Sequence, residues 1–123
     1  MAVIEITLEK LVDDYDWAQV FADENDGNVD KTIHTAPAGT PVSDAPMSRS
    51  DVVEILAAVN GKNDGADWLG AFRLRDGRYL VASGGCDYTG WVCRAGNHLA
   101  VFANMKDLIR YGLDDSQKAR LGL

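Results

Sequence analysis

The stretch Trp68-Leu-Gly-Ala-Phe-Arg-Leu-Arg-Asp-Gly-Arg-Tyr-Leu-Val-Ala-Ser83 carries the strongest local structural signal in the chain. Asp76-Gly77 lies between two runs of alternating side chains, a pattern typical of a β-hairpin with a two-residue turn. In the register that follows, Leu74 faces Tyr79. One face of the hairpin is then expected to be core and consists of Trp68, Phe72, Leu74, Tyr79 and Val81.

The opposite face of this predicted hairpin is mixed. Its polar part consists of Arg73, Arg75 and Arg78. The half of this face that is farther from the turn consists of Leu69, Leu80 and Ala82. Because apolar side chains of this kind are usually buried, we expect another element of the fold to cover that half.

The residues after the hairpin predict one more strand and two short helices. The segment His98-Leu-Ala-Val-Phe-Ala103 has the composition of a β-strand. Asn104 can cap a helix that ends at Gly112. Asp114 or Asp115 can start a last helix.

The order of these elements predicts an α+β fold. Consecutive strands with short connections form antiparallel sheets, and a sheet with apolar residues is covered by helices. We therefore expect a three-stranded antiparallel sheet built from the central hairpin 67–83 and strand 98–103. Helices from the N-terminal and C-terminal regions cover it, and residues 1–123 form a single domain.

The N-terminal region predicts an amphipathic helix over about residues 7–23. Its expected buried face consists of Leu8, Leu11, Val12, Tyr15, Ala18 and Ala22. Trp17 and Phe21 lie outside this face. A second interpretation accommodates them, because the helix can break near Asp14 and restart with Asp16 as its cap. The sequence does not choose between these two interpretations.

The middle of the chain predicts a loop followed by a helix. Residues 24–48 contain all three prolines and few large apolar side chains, so we expect an extended loop there. Ser48-Arg-Ser-Asp51 matches a capping box, and Asn60-Gly61 matches a helix stop. Between them we expect a second amphipathic helix, whose buried face consists of Val52, Ile55, Leu56 and Val59.

The charge of the chain is concentrated at one end. The net charge is −7, yet residues 1–30 hold nine carboxylates against Lys10 alone, and the rest of the chain is close to neutral. This balance disfavours direct nucleic-acid binding, which depends on Lys and Arg. No apolar run approaches the roughly 20 residues of a membrane span, so we expect a cytoplasmic, water-soluble protein.

Four carboxylates of the predicted N-terminal helix fall in one row. At about 100° per residue, Glu5, Glu9, Asp13 and Asp16 lie within about 80° of one another. Such a row can imitate phosphates and occupy a basic groove on a partner protein. The alternative is a solvated helix face, since exposed faces are commonly charged.

The glycine-rich segment Gly84-Gly-Cys-Asp-Tyr-Thr-Gly-Trp-Val-Cys93 offers two aromatic side chains for binding. Tyr88 and Trp91 can act as anchors for a partner, because rigid aromatic rings supply contact area at little entropic cost. The alternative is that both rings fold back onto the sheet, with Trp91 near Trp68.

The two cysteines of this segment have three interpretations. Cys86 and Cys93 face each other if a tight turn joins the second and third strands, which permits a disulfide. Buried reduced thiols fit a cytoplasmic protein better. With His98 and Asp87 they form a weak set of zinc ligands at unusual spacing. We expect no cofactor and no catalytic residue, because neither histidine lies in a nucleophile or metal motif.

Four segments carry a resemblance to known sequences: Asn63-Asp-Gly-Ala-Asp-Trp68, Arg75-Asp-Gly-Arg78, Gly85-Cys-Asp-Tyr-Thr-Gly-Trp91 and Leu108-Ile-Arg-Tyr-Gly-Leu113. They resemble a family of small uncharacterised proteins from phage and bacterial genomes. The string Cys86-Asp-Tyr-Thr-Gly-Trp91 is its most specific part. The resemblance implies a phage or prophage origin and assigns no catalytic residue.

These observations together favour a non-enzymatic protein-binding module. In its most specific form the hypothesis is a phage-encoded inhibitor of a host nucleic-acid-binding defence complex, whose basic surface meets the row Glu5, Glu9, Asp13 and Asp16. One alternative is a small protein with a thiol or zinc site at Cys86 and Cys93. Another alternative is a structural or assembly subunit.

Overall fold

The computed structural model describes residues 2–21, 31–32, 46–47, 49–62, 65–85 and 98–123, with only the backbone described for 31–32, 46–47 and 98. The elements in chain order are α1 (Leu8–Asp13), α2 (Tyr15–Val20), β1 (Lys31–Thr32), β2 (Pro46–Met47), a 3-10 turn (Arg49–Asp51), β3 (Val52–Val59), β4 (Trp68–Leu74), β5 (Tyr79–Gly84), β6 (His98–Phe102), α3 (Met105–Asp107), a π-helical turn (Leu108–Gly112) and α4 (Asp115–Leu121). The predicted α+β fold with helices at both ends is confirmed.

The main sheet has four strands in the order β3-β4-β5-β6, and all neighbouring pairs are antiparallel. The sequence predicted three of them, including the strand that begins at His98. The fourth is β3, and it lies beside β4 at the edge of the sheet. The short strands β1 and β2 form a separate antiparallel pair inside the region predicted as an extended loop.

The predicted helix over residues 52–59 is wrong, because this segment is strand β3. Its Val and Ile residues are favoured in strands, and its backbone completes the ladder of β4 through pairs such as Ile55 with Phe72 and Ala57 with Ala71. The register shifts twice along β3, between Val52 and Glu54 and again between Ile55 and Ala57. These bulges break the period of two, so the apolar residues recur at a spacing that resembles a helix.

The hairpin between β4 and β5 is confirmed, but its predicted register is wrong by one residue. Leu74 closes the turn with Arg78 rather than facing Tyr79, because the Leu74 N–H donates to the Arg78 carbonyl at 2.7 Å. The turn therefore has three residues, and Gly77 within it has a positive φ of 90°. A shift of one residue moves Tyr79 and Val81 to the opposite face.

Both faces of the sheet are buried, each under its own layer. The first cluster lies between the sheet and the N-terminal helices and includes Leu11, Trp17, Val20, Phe21, Phe72, Leu80, Leu99 and Val101. The second lies between the sheet and the C-terminal region and includes Leu69, Ala71, Val81, Phe102, Leu108, Leu113 and Leu121. The expectation that another element covers Leu69 is confirmed, whereas Leu80 and Ala82 belong to the first face.

The C-terminal layer follows the predicted caps closely. The Asn104 side chain accepts a hydrogen bond from the Asp107 N–H at 2.9 Å, and the helical segment ends at Gly112 as expected. Asp114 starts α4 through a reciprocal capping box with Gln117. Local hydrogen-bonding residues therefore determine where these short helices begin.

The outer edge of β3 is covered by the N-terminal segment. The Glu5 N–H donates to the Ala58 carbonyl at 2.9 Å, and the Ala58 N–H donates to the Val3 carbonyl at 2.8 Å. Ile4 thus forms a parallel bridge with Ala58. This contact protects an edge that would otherwise present unpaired backbone groups, and it leads the chain directly into α1.

Gly77 provides a test of the three-residue turn. A methyl group at this position meets no other atom within 4 Å, so a Gly77→Ala substitution changes only the backbone preference. We expect it to lower the free energy of unfolding by about 1 kcal/mol, because L residues disfavour positive φ. Urea denaturation measures this loss. Gly77→Asn is the control and should lose less, since Asn tolerates this region; equal stability of all three proteins would contradict the assigned turn.

Candidate functional site

The N-terminal helices are separated by a sharp break at Asp14. Thr7 caps α1, and its hydroxyl accepts from the Lys10 N–H at 3.3 Å. Asp14 has an extended backbone and caps α2, with its carboxylate accepting from the Trp17 N–H at 2.9 Å. The second interpretation of this region is therefore confirmed in its break, but Asp14 rather than Asp16 is the cap.

The break changes which side chains are buried. Of the face predicted for one continuous helix, Leu11 is fully buried, whereas Leu8, Val12 and Tyr15 are exposed. Trp17, Val20 and Phe21 take their place in the core. The rings of Trp17 and Phe72 meet edge to face with centroids 5.7 Å apart. The signal in the sequence was the size of Trp17 and Phe21, which lie one turn apart.

Arg49 connects the chain at the break between α1 and α2 with the segment that leads into β3. Its guanidinium Nη1 donates to the carbonyl of Leu11 at 3.0 Å and to the carbonyl of Asp14 at 3.4 Å. The Leu11 carbonyl belongs to the last turn of α1, where carbonyls lack a partner within the helix, so Arg49 satisfies it. The Asp14 carbonyl also accepts from the Ala18 N–H at 2.9 Å. Since Arg49 begins the turn that leads into β3, it holds the end of α1 in a defined place.

Asn60 connects the N-terminal layer with the end of β3. Its side-chain oxygen accepts from Trp17 Nε1–H at 2.9 Å, which satisfies the one polar group of a fully buried ring. Its backbone N–H donates to Glu5 Oε1 at 2.7 Å. One residue therefore anchors both α2 and the segment that precedes α1.

The exposed side of α1 divides into two parallel strips. Leu8 and Val12 lie one turn apart and form what we call the apolar strip. Glu9 and Asp13 also lie one turn apart, about 100° further around the helix, and form the acidic strip. All four residues are exposed. The buried Leu11 lies about 160° from both carboxylates and about 60° from Leu8, so the acidic strip points away from the core and the apolar strip borders it.

The acidic strip contains only two of the four carboxylates predicted in one row. Glu5 lies before α1, and its carboxylate accepts a hydrogen bond from the Asn60 N–H. Asp16 lies on α2, beyond the break. Asp16 already has an interaction partner within the chain. In contrast, Glu9 and Asp13 make no ion pair or side-chain hydrogen bond within the described part of the chain. Of the four carboxylates predicted in one row, the two without such a partner in the described part of the chain are therefore both on α1.

The remaining predicted site residues lie in or beside the glycine-rich segment. Tyr88, Trp91, Cys86 and Cys93 all lie outside the described residues, and of His98 only the backbone in β6 is described. Within the described residues, no group of three or more His, Cys, Asp or Glu side chains could hold a metal ion. No helix in the described ranges has the length and apolar character of a membrane span.

The arginines of the hairpin are held by local partners. Arg73 Nε donates to Glu54 Oε1 at 2.8 Å, and Arg75 Nη2 donates to the Ser50 carbonyl at 2.8 Å. Arg78 binds the carboxylate of Asp76, with Nε to Oδ2 at 2.7 Å. The side-chain hydrogen bond from Arg78 lowers the pKa of Asp76 below its usual value. These basic groups are engaged, whereas the carboxylates of the acidic strip are not.

Comparison with protein-family models, with curated proteins and with solved structures finds no match for this chain.

The lowered pKa of Asp76 predicts a small dependence of the free energy of unfolding on pH. A carboxyl whose pKa is lower in the folded state stabilises the fold above the unfolded pKa, and this contribution is lost as the pH falls through the folded pKa. We expect NMR titration to place the Asp76 pKa below the usual value of an aspartate. Arg78→Gln should raise the Asp76 value. An Asp76 pKa that does not respond to this substitution would contradict the contact.

The hydrogen bond between Trp17 and Asn60 predicts a measurable coupling. Asn60→Ala removes the acceptor of the indole N–H and should lower the free energy of unfolding by about 1 kcal/mol. In a Trp17→Phe background the same substitution should cost almost nothing, because no donor remains. Urea denaturation of the four proteins measures the coupling. Equal costs of Asn60→Ala in both backgrounds would show that the bond contributes nothing.

Proposed function

We propose that this protein is a non-enzymatic protein-binding module that engages a basic surface of a partner through the acidic strip of α1. The proposal rests on the exposure of Glu9 and Asp13 and on their lack of partners among the described residues. Both are exposed, they lie one turn apart, and neither is paired within the described part of the chain. They are therefore available to Lys or Arg side chains of another protein.

The attachment of α1 supports this proposal. Thr7, Leu11 and Arg49 hold the helix at its start, its buried side and its end. Carboxylates on a fixed helix lose less conformational entropy on binding than carboxylates on a loop. The surrounding charge adds to the effect, because the excess of carboxylates in residues 1–30 attracts basic partners and accelerates encounter at low salt.

In its more specific form, the proposal is a phage-encoded inhibitor of a host nucleic-acid-binding defence complex, acting in the host cytoplasm. Proteins that bind nucleic acid present Lys and Arg to phosphates, and carboxylates can occupy the same positions. The resemblance to phage sequences and the acidic N-terminal region support this form. Glu5, Asp16, Tyr88 and Trp91 are proposed as additional contacts with the partner.

Charge reversal tests the proposal. Glu9→Lys together with Asp13→Lys should weaken binding to the partner by at least about tenfold at low salt, because attraction becomes repulsion. The partner is first captured from the lysate of a bacterial host with the wild-type protein and identified by mass spectrometry. Its affinity for each variant is then measured at low salt and at about 150 mM salt.

A matched control separates this contact from the effect of net charge. Glu54→Lys together with Asp115→Lys changes the net charge by the same amount on the C-terminal side of the sheet. Both side chains are about half exposed or more, but Glu54 also loses its ion pair with Arg73, so circular dichroism first confirms that the control variant folds. This variant should bind like the wild type. If reversal of Glu9 and Asp13 leaves the affinity at low salt unchanged, the acidic strip is not the binding surface.

A further inference from the structure

We infer that the partner contributes a basic amphipathic helix, which lies along α1 with its apolar side on the apolar strip and its Lys or Arg residues on the acidic strip. This inference deepens the proposed function and rests on it. The observation behind it is independent of charge, since it concerns the large apolar side chains that α1 leaves in solvent.

The exposure of these side chains is the first step of the argument. Leu8 is 40% exposed and Val12 is 45% exposed, and they lie on the same side of α1. Ile4 and Tyr15 are also exposed, at 56% and 69%, but they lie before α1 and beyond the break and are not part of the apolar strip. Single exposed apolar side chains are ordinary on a protein surface, but a group of neighbouring ones marks an interaction site.

The position of the apolar strip beside the acidic strip is the second step. Leu8 and Val12 point about 60° to 140° away from Glu9 and Asp13 around the same helix. A partner that recognises these carboxylates only as substitutes for phosphates would contact the acidic strip alone. A helix with an apolar side bordered by Lys or Arg meets both strips at once, since packed helices approach within about 8–10 Å.

Charge complementarity selects this occupant over two others. A second copy of the chain would bring its own Glu9 and Asp13 to the contact, and like charges at an interface are unfavourable. Residues 22–30 of the same chain carry Asp23, Glu24, Asp26 and Asp30 without a basic residue, so their charge does not complement the acidic strip either. A basic partner is the occupant whose charge fits.

Model peptides test the inference without knowledge of the partner. The probe is a fluorescent amphipathic helix of Leu and Lys, about 14 residues long, so that it spans α1. Two further peptides serve as controls: one with the same composition in scrambled order, and one of Lys alone. Fluorescence anisotropy measures the affinity of each peptide for the wild type and for the variants below.

The variants remove the apolar strip without changing the charge. Leu8→Gln together with Val12→Gln keeps good helix formers on an exposed face, and circular dichroism confirms that the variant folds. Tyr111→Gln together with Leu123→Gln is the matched control, because these residues are 41% and 37% exposed near the C-terminus. We expect the first variant to bind the amphipathic probe at least about tenfold more weakly and the control to bind it like the wild type.

Each other outcome has a defined meaning. Equal binding of the probe by the wild type and by Leu8→Gln/Val12→Gln overturns the inference, and so does equal affinity for the amphipathic and Lys-only peptides. If Glu9→Lys/Asp13→Lys still weakens binding in that case, the proposed function stands with a purely charged contact. If neither double variant changes binding, both proposals fail. A second copy of the chain would be the occupant if three results coincide. The wild type self-associates in sedimentation, Leu8→Gln/Val12→Gln does not, and neither protein binds the peptides.

Discussion

The four-stranded sheet is apolar on both faces, and the rest of the structure depends on this constraint. A sheet of this kind is stable in water only when each face is covered, because exposed apolar surface is costly. The N-terminal helices cover one face through Trp17, Val20 and Phe21. The C-terminal helices cover the other through Leu108, Leu113 and Leu121. The three-layer arrangement follows from the composition of β4 and β5, where apolar residues occupy both sides of each strand.

The same constraint explains how α1 acquires its exposed apolar strip. The largest side chains of the N-terminal region are Trp17 and Phe21, and the sheet accommodates both against Phe72. Placing them there requires the chain to turn at Asp14, which leaves Leu11 as the single buried residue of α1. Leu8 and Val12 remain exposed because the contact of this short helix with the core is made by Leu11. A packing requirement in the core has therefore created a surface feature.

Electrostatics adds a second distinction between the two sides of the molecule. On the sheet and its hairpin, Arg73 and Arg78 bind nearby carboxylates, and Arg75 binds a carbonyl. On α1, Glu9 and Asp13 have no such partners within the described residues. Paired surface charges contribute little to binding, whereas unpaired ones on a fixed helix keep their attraction for an incoming group. The acidic strip therefore stands out by its lack of ion pairs and side-chain hydrogen bonds within the described residues.

The sequence by itself determined the α+β class, the hairpin, the strand at His98 and the cap at Asn104, and it limited the start of the last helix to Asp114 or Asp115. These features depend on interactions between residues close in the chain, such as an aspartate with an N–H three positions later. The tertiary structure alone decided that residues 52–59 form a strand, since a bulged strand and a helix share similar apolar spacing and only β4 supplies the hydrogen bonds. It also decided the hairpin register, in which Arg73 faces Tyr79 and Leu80 and Ala82 lie on the face that the N-terminal helices cover. Finally, the tertiary structure separated the four carboxylates predicted in one row, because α1 and α2 are divided at Asp14 and Trp17 is buried. The spacing of residues in the sequence allowed this break but did not require it.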